Sequence, residues 1–140
     1  EALRLIRERD CLAIVVTSQK GVGKGLMSRQ TLTNIHDRMQ SLLAAEGAAF
    51  DAIYAHTATG GDEDHPAKPD PGMIHAAAES FGIDPRLSWI IGDADRDIEM
   101  GRRAGLVGTI RIRGEKEITV PATHTLESTT EIPDLLRLIL

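Results

Sequence analysis

A single cysteine, Cys11, stands in the 140 residues. A lone thiol closes no internal disulfide, so neither a disulfide-stapled fold nor an oxidising compartment is called for. Aromatic residues make up only 3% of the chain, and 16 Lys and Arg face 21 Asp and Glu, a net charge of −5. That leaves little with which to stack bases or neutralise phosphodiesters, and no nucleic-acid partner is expected. No apolar run approaches the roughly 20 residues of a membrane span, and no signal peptide is visible. No membrane partner is expected, and a cytoplasmic protein is the default. Internal repeats, low-complexity segments and linkers are missing too, and the length suits one domain, residues 1–140, with a real core. The chain also lacks an initiator methionine and begins Glu1-Ala2-Leu3-Arg4, as if inside a longer element.

What is present alternates. Residues 1–9 read as a helix end, with Ala2, Leu3 and Ile6 apolar among Arg and Glu. Residues 11–16, CLAIVV, form a continuous β-branched run that suits a strand buried on both faces of a parallel sheet. The glycine-rich TSQKGVGKG follows as a loop. Leu32, Ile35, Met39, Leu42 and Leu43 fall at helical spacing between Ser28, a cap, and Glu46. AFDAIYAH predicts a second strand, and residues 57–72 a polar loop with three prolines. Asp70-Pro71 can cap and open a helix that ends before Gly82. LSWIIGD is a third strand, followed by a helix over 95–104 that Gly105 stops. LVGTIRI and THTLES predict further strands, and residues 131–140 a final amphipathic helix. Strands separated by helices imply an α/β fold, Rossmann-like, with a mostly parallel sheet and flanking helices.

Such sheets bind ligands at the carboxyl ends of their strands. Thr17-Ser18-Gln19 follows the first strand, Lys68 lies on the loop after the second, and Gly92-Asp93 closes the third. A hydroxyl, an ammonium and a carboxylate are expected to converge there, within about 10 Å of one another, on a phosphate and a divalent cation. The hydroxyl and the lysine can hold phosphate oxygens. The carboxylate can hold Mg²⁺, which uses few carboxylates and keeps its waters.

The ordered set VVTSQKGVGKG, KPDPGM and IGDADRDIEMGRRAG resembles the haloacid dehalogenase (HAD) superfamily of phosphatases. Within it, the set is similar to subfamily IIIA, the branch of histidinol-phosphate and D-glycero-D-manno-heptose-1,7-bisphosphate phosphatases. The resemblance implies roles position by position. Thr17 would bond the phosphoryl group, and Ser18, standing where the branch has Asn, would line the substrate pocket with Gln19. Lys68 would neutralise phosphate charge. Asp93 would be a Mg²⁺ ligand, and Asp97 would brace Lys68 or the metal's waters. The substrate implied is a small phosphorylated metabolite.

The chain departs from that pattern in three further places. The family's nucleophilic aspartate, with a second aspartate two residues on, sits on a strand ahead of everything named above. Asp62-Glu63-Asp64 has the spacing but follows TATGG, not an apolar strand, and Asp93-x-Asp95 belongs to the later motif. The expectation is therefore a HAD fold whose first, central strand is missing from these residues. Alone, the chain would then be inactive, and an N-terminal segment would complete its sheet. Secondly, the heptose-bisphosphate enzymes carry a Cys/His zinc loop before the lysine. Here YAHTATGGDEDHPAK has no cysteine, so His56 and His65 make a poor zinc site and zinc is not expected. Thirdly, Ala67 stands where that subgroup often has Arg.

Simpler readings compete at several positions. The helix dipole accounts for Asp95 and Glu99 at a helix start. A calcium loop would need glycine at Ile98 and glutamate at Ala104. A P-loop would need glycine at Ser18 and Ser or Thr at Gly25. Lys24 reads as an exposed loop charge, Cys11 as core, and His36, His75 and His124 as residues without evident partners. Two other functions stay in view: a non-catalytic HAD-like binding or structural module, and a nucleic-acid 3′-phosphatase, which shares the Thr-x-Gln loop.

Overall fold

The computed structural model describes residues 1–62 and 64–140. Helices and strands alternate as the apolar pattern requires, and the chain divides into two compact units, Glu1–His65 with Leu136–Leu140, and Pro66–Leu135.

In the first unit, α1 (Ala2–Glu8) leads to β1 (Ile14–Ser18), α2 (Arg29–Ala45) and β2 (Ala52–His56). β1 and β2 run parallel, from Ile14 opposite Ala52 to Ser18 opposite His56. Parallel neighbours need a crossover connection, and α2 supplies it. Its start is set by Ser28, whose side chain accepts the N–H of Thr31 at 3.0 Å. β1 departs from the expected 11–16 in extent and in burial. Asp10 turns the chain with φ 54. Ala13 is tied to Asp51, donating its N–H to the carboxylate at 2.7 Å and accepting the Asp51 N–H at 2.8 Å. The ladder therefore opens only at Ile14; at its far end it runs on through Thr17 and Ser18, residues expected after the strand, because they pair with Ala55 and His56. Nor is β1 buried on both faces: every strand residue is half-buried, and Leu12 is 46% exposed. A two-stranded sheet gives β1 one ladder neighbour and correspondingly less cover. Cys11, expected in the core, is half-buried, its thiol near the Arg9 carbonyl at 3.5 Å.

The second unit holds α3 (Gly72–Phe81), β3 (Trp89–Gly92), α4 (Asp95–Arg103), β4 (Gly108–Ile112), β5 (His124–Leu126) and the start of α5 (Ile132–Ile139). Its three strands form a parallel sheet in the order β3-β4-β5. The central strand, β4, is buried from Gly108 to Arg111. Met73, Ile98, Met100 and Ile110 are fully buried and make its core. α4 lies close on the sheet because residue 101 is glycine: a Cβ there would stand 2.5 Å from Ile90 Cγ2. α3 ends at Gly82, in the left-handed region at φ 65, where a side chain would be strained. Asp70 does not cap α3 directly. Its carboxylate accepts the Gly72 N–H at 2.8 Å, and the helix opens one residue beyond Pro71. His124 has a partner after all, the Trp89 ring, with centroids 5.7 Å apart. No helix is long and apolar enough to cross a membrane.

Candidate active site

In the first unit the sequence-marked residues sit at the carboxyl end of β1. Thr17 pairs with Ala55 and Ser18 with His56. Gln19 follows the strand, donates its N–H to the His56 carbonyl at 2.6 Å, and turns its amide onto Thr17 Oγ1 at 3.1 Å. The Thr17 hydroxyl is thus an acceptor for Gln19 and retains its own proton to donate. The glycine-rich loop has a packing reason. Gly23 donates to the Thr57 carbonyl at 2.8 Å, and a Cβ there would stand 2.5 Å from the Ala58 carbonyl oxygen. Lys24 is exposed.

The loop after β2 is organised by Asp64, which accepts the N–H groups of Thr57 at 2.6 Å, Gly60 at 3.1 Å and His65 at 3.0 Å. Burial opposes its charge, but the bonds from Thr57, Gly60 and His65 hold the carboxyl well below the usual carboxylate range. Asp64 is therefore a loop brace. Of the Asp62-Glu63-Asp64 set, Glu63 lies outside the described residues. His56 Nδ1 donates to the His65 carbonyl at 2.6 Å, and the His65 ring meets Tyr54 edge-on at 5.3 Å.

In the second unit, Lys68 and Asp97 are brought together. Lys68 Nζ donates to Asp97 Oδ1 at 2.7 Å, with side chains 12% and 7% exposed. The other carboxylate oxygen accepts the Ala94 N–H at 3.1 Å. Gly92 is what makes room: a Cβ on it would stand 2.3 Å from Asp97 Cβ and 2.5 Å from Asp97 Oδ2. The spacing Gly-Asp-x-x-x-Asp thus has a physical reading. The first turn of α4 carries Asp97 back over the strand end, and only glycine leaves space beneath it. Asp97 takes one of the three N–H directions of the Lys68 ammonium.

Asp93, the next residue, is mostly exposed, and both its oxygens face Lys116 Nζ at 3.4 Å. Asp95 does more than complement the helix dipole. It accepts from Thr119 Oγ1 at 2.5 Å, from the Thr119 and Val120 N–H groups at 3.1 and 3.2 Å, and from Arg111 Nη1 at 2.8 Å. The Thr119 hydroxyl first, and then these N–H donors and the guanidinium, outweigh desolvation and hold its carboxyl well below the usual range. Glu99 pairs with Arg103 one turn on, at 3.0 Å.

Sequence reading passed over Arg111 and Lys116. Arg111 carried a signal: a guanidinium inside the strand GTIRI requires a buried partner, and Asp95 is the one it finds. Lys116 carried none, since a lysine in RGEKE reads as a solvated loop.

As for a metal, among the described residues no three His, Cys, Asp or Glu side chains cluster to hold one. Mg²⁺ needs no such cluster, because one or two carboxylates, waters and phosphate oxygens complete its shell. Asp95 and Asp97 are engaged by internal donors; Asp93 is the carboxylate whose chemistry and exposure fit that ion.

Residues 65–132 match the family described as HAD-hydrolase-like, a span nearly coincident with the second unit. The D-glycero-beta-D-manno-heptose-1,7-bisphosphate 7-phosphatase of Pasteurella multocida is 31% identical over 147 aligned positions, covering 98% of this chain and 80% of that protein. The D-glycero-alpha-D-manno-heptose-1,7-bisphosphate 7-phosphatase of Burkholderia mallei is 37% identical over 119 positions, 80% of this chain, which spans 62% of that relative's length. Among solved structures, the D,D-heptose 1,7-bisphosphate phosphatase of B. bronchiseptica, complexed with magnesium and phosphate, matches with a TM-score of 0.83 at 28% identity. It covers 97% of this chain and 80% of its own. Identity at this level over nearly the whole chain, together with a shared α/β fold, makes the chain a member of the D-glycero-D-manno-heptose-1,7-bisphosphate 7-phosphatase family of HAD-type phosphatases.

Proposed function

We propose that this chain carries the phosphate- and metal-handling residues of a Mg²⁺-dependent phosphomonoesterase acting on a small phosphorylated sugar, a heptose bisphosphate by analogy with its relatives. The observation that carries the reading is the Lys68–Asp97 pair over Gly92, one residue from an exposed Asp93. A mostly buried ammonium needs a reason to be there, and one bonded carboxylate leaves it two further N–H directions suited to phosphate oxygens. Asp97 holds Lys68 in place and stays out of the metal's shell. Asp93 supplies a carboxylate to Mg²⁺, which when bound would neutralise phosphoryl charge. By the HAD resemblance Thr17 would bond the phosphoryl group and Ser18 and Gln19 would line the substrate pocket; the Gln19 amide lies 3.1 Å from Thr17 Oγ1.

The covalent step that the HAD resemblance implies is attack by an aspartate on phosphorus, with the ester oxygen leaving as an alcohol and water later freeing phosphate. None of the carboxylates matched here takes that part: Asp64, Asp95 and Asp97 are internal braces, and Asp93 is the metal's. The 140 residues by themselves therefore bind and hold rather than turn over substrate.

The test has two readouts. Inorganic phosphate titrated calorimetrically into the 140-residue chain with Mg²⁺ should bind, and Lys68→Met and Asp93→Asn should each weaken that binding at least about tenfold, the worth of one charge-assisted contact. Phosphate binding indifferent to both substitutions would overturn the reading. Release of phosphate from a heptose 1,7-bisphosphate or histidinol phosphate should not rise above background. Turnover that vanishes in Asp93→Asn would instead make Asp93 and Asp95 the nucleophilic pair.

A further inference from the structure

Lys116 stands on the loop after β4 and faces both oxygens of Asp93 at 3.4 Å. It is exposed, as is Asp93, and an exposed lysine on a loose loop would mean little. This loop is not loose. Arg111, whose side chain has no exposed surface, bonds Asp95 Oδ1 at 2.8 Å and reaches the carbonyl of Glu117 at 3.1 Å and of Lys116 itself at 3.4 Å. From the other side Asp95 takes the N–H groups of Thr119 and Val120 and the Thr119 hydroxyl. A buried guanidinium and a multiply bonded carboxylate thus clamp residues 116–120, and the backbone of Lys116 is fixed next to the carboxylate it faces. Arg111 Nε is the one buried side-chain nitrogen or oxygen without a hydrogen-bond partner among the described residues. The clamp is kept in spite of that cost.

We propose that Lys116 is a positioning residue for the metal site. It is the built-in counter-cation of Asp93, and Mg²⁺ gains that carboxylate only as the ammonium leaves it. The inference rests on reading Asp93 as the metal's carboxylate. Two cations cannot share one exposed carboxylate without mutual repulsion, so the lysine sets a threshold for metal binding. It also keeps Asp93 from standing unpaired beside Asp95 and Asp97 when no ion is there.

The experiment is Mg²⁺ titration of the 140-residue chain by calorimetry, without phosphate, in wild type, Lys116→Met, Lys116→Arg and Asp93→Asn. Lys116→Met should bind Mg²⁺ about two- to fivefold tighter than wild type, the span that exposed ion pairs of ~0.4–1 kcal/mol give. Lys116→Arg should stay near wild type, and the gap between Met and Lys should close at high salt, where the pair is screened. Because Lys116 is exposed, the variants should fold as wild type does, which circular dichroism checks. If Asp93→Asn loses Mg²⁺ binding while Lys116→Met equals wild type, the counter-cation is overturned and the metal reading stands. If Asp93→Asn binds as wild type does, or if no variant binds, the metal reading fails and takes this inference with it.

Discussion

Replacing Gly92 by alanine tests whether the Gly-Asp-x-x-x-Asp spacing works as a packing device. The added methyl would lie 2.3 Å from Asp97 Cβ, 2.5 Å from its Cγ and 2.5 Å from Oδ2. Carbon atoms in contact need roughly 3.5 Å or more, so the gap must open by about 1 Å. Rotation of Asp97 cannot supply it, since Cβ itself is in the way and both carboxylate oxygens are held, by Lys68 at 2.7 Å and by the Ala94 N–H at 3.1 Å. Either β3 and the first turn of α4 move apart, an overpacking cost of about 1–3 kcal/mol, or the mostly buried ion pair breaks, at about 3–5 kcal/mol. The cheaper route sets the outcome, so a loss of about 1–3 kcal/mol is expected, with Tm lower by roughly 3–15 °C for a chain of this size. Gly114→Ala is the control, because a Cβ there meets nothing within 4 Å. It should stay within about 0.5 kcal/mol of wild type. Urea unfolding followed by circular dichroism reads both. If Gly92→Ala unfolds at the same midpoint as Gly114→Ala, then Asp97 is not held over the strand end as described.

Breaking the clamp is the next perturbation. Arg111→Met leaves Asp95 without its guanidinium and should lower the urea midpoint, whereas an unchanged midpoint would show that the neutral donors from Thr119 and Val120 suffice. Lys68→Met and Asp97→Leu should each destabilise by about 3–5 kcal/mol, and the double variant by clearly less than their sum, because each single change strands a buried charge. Additivity within about 0.5 kcal/mol would refute the pairing. Acid stability follows from the two depressed carboxyls, Asp64 and Asp95. Their folded values lie below the unfolded value of about 3.9, so their contribution is complete above that pH and is lost as pH falls through the folded values. Urea midpoints measured between about pH 5 and pH 2 should therefore fall less steeply in Asp95→Asn than in wild type, and parallel curves would contradict the bonds assigned to Asp95.

The alternation of strands and helices was legible because each element carries its own period and its own stop: Ser28 before α2, Gly82 after α3, Gly105 after α4. The Lys68–Asp97 contact was legible only through resemblance to a family, since 29 residues separate the two and nothing local announces the pair. The start of β1 was not legible for a different reason. Hydrophobicity marks where a chain prefers cover, whereas a ladder begins where hydrogen-bond partners line up, and the N–H of Ala13 goes to the Asp51 side chain. The acidic run 93–99 shows the same limit more sharply. Its four carboxylates are equivalent as letters, and a helix dipole would favour all of them alike. Their partners separate them: Lys116 and solvent for Asp93, Arg111 and the loop 119–120 for Asp95, Lys68 for Asp97, Arg103 for Glu99. Three of those partners lie on other segments, Lys68 ahead of α3, Arg111 on β4 and Lys116 after it, so the division of labour is a property of the fold around α4, not of the run. It also has a direction. Asp95 and Asp97 each have both oxygens bonded by internal donors and so hold the turn on either side of Ala94. The carboxylate left exposed beside that turn, Asp93, is the one free to exchange its partner. The family resemblance names Asp93 from the order of its motifs; on the metal site proposed above, the bonds that immobilise its neighbours are the reason an exchangeable cation would go to it and not to them.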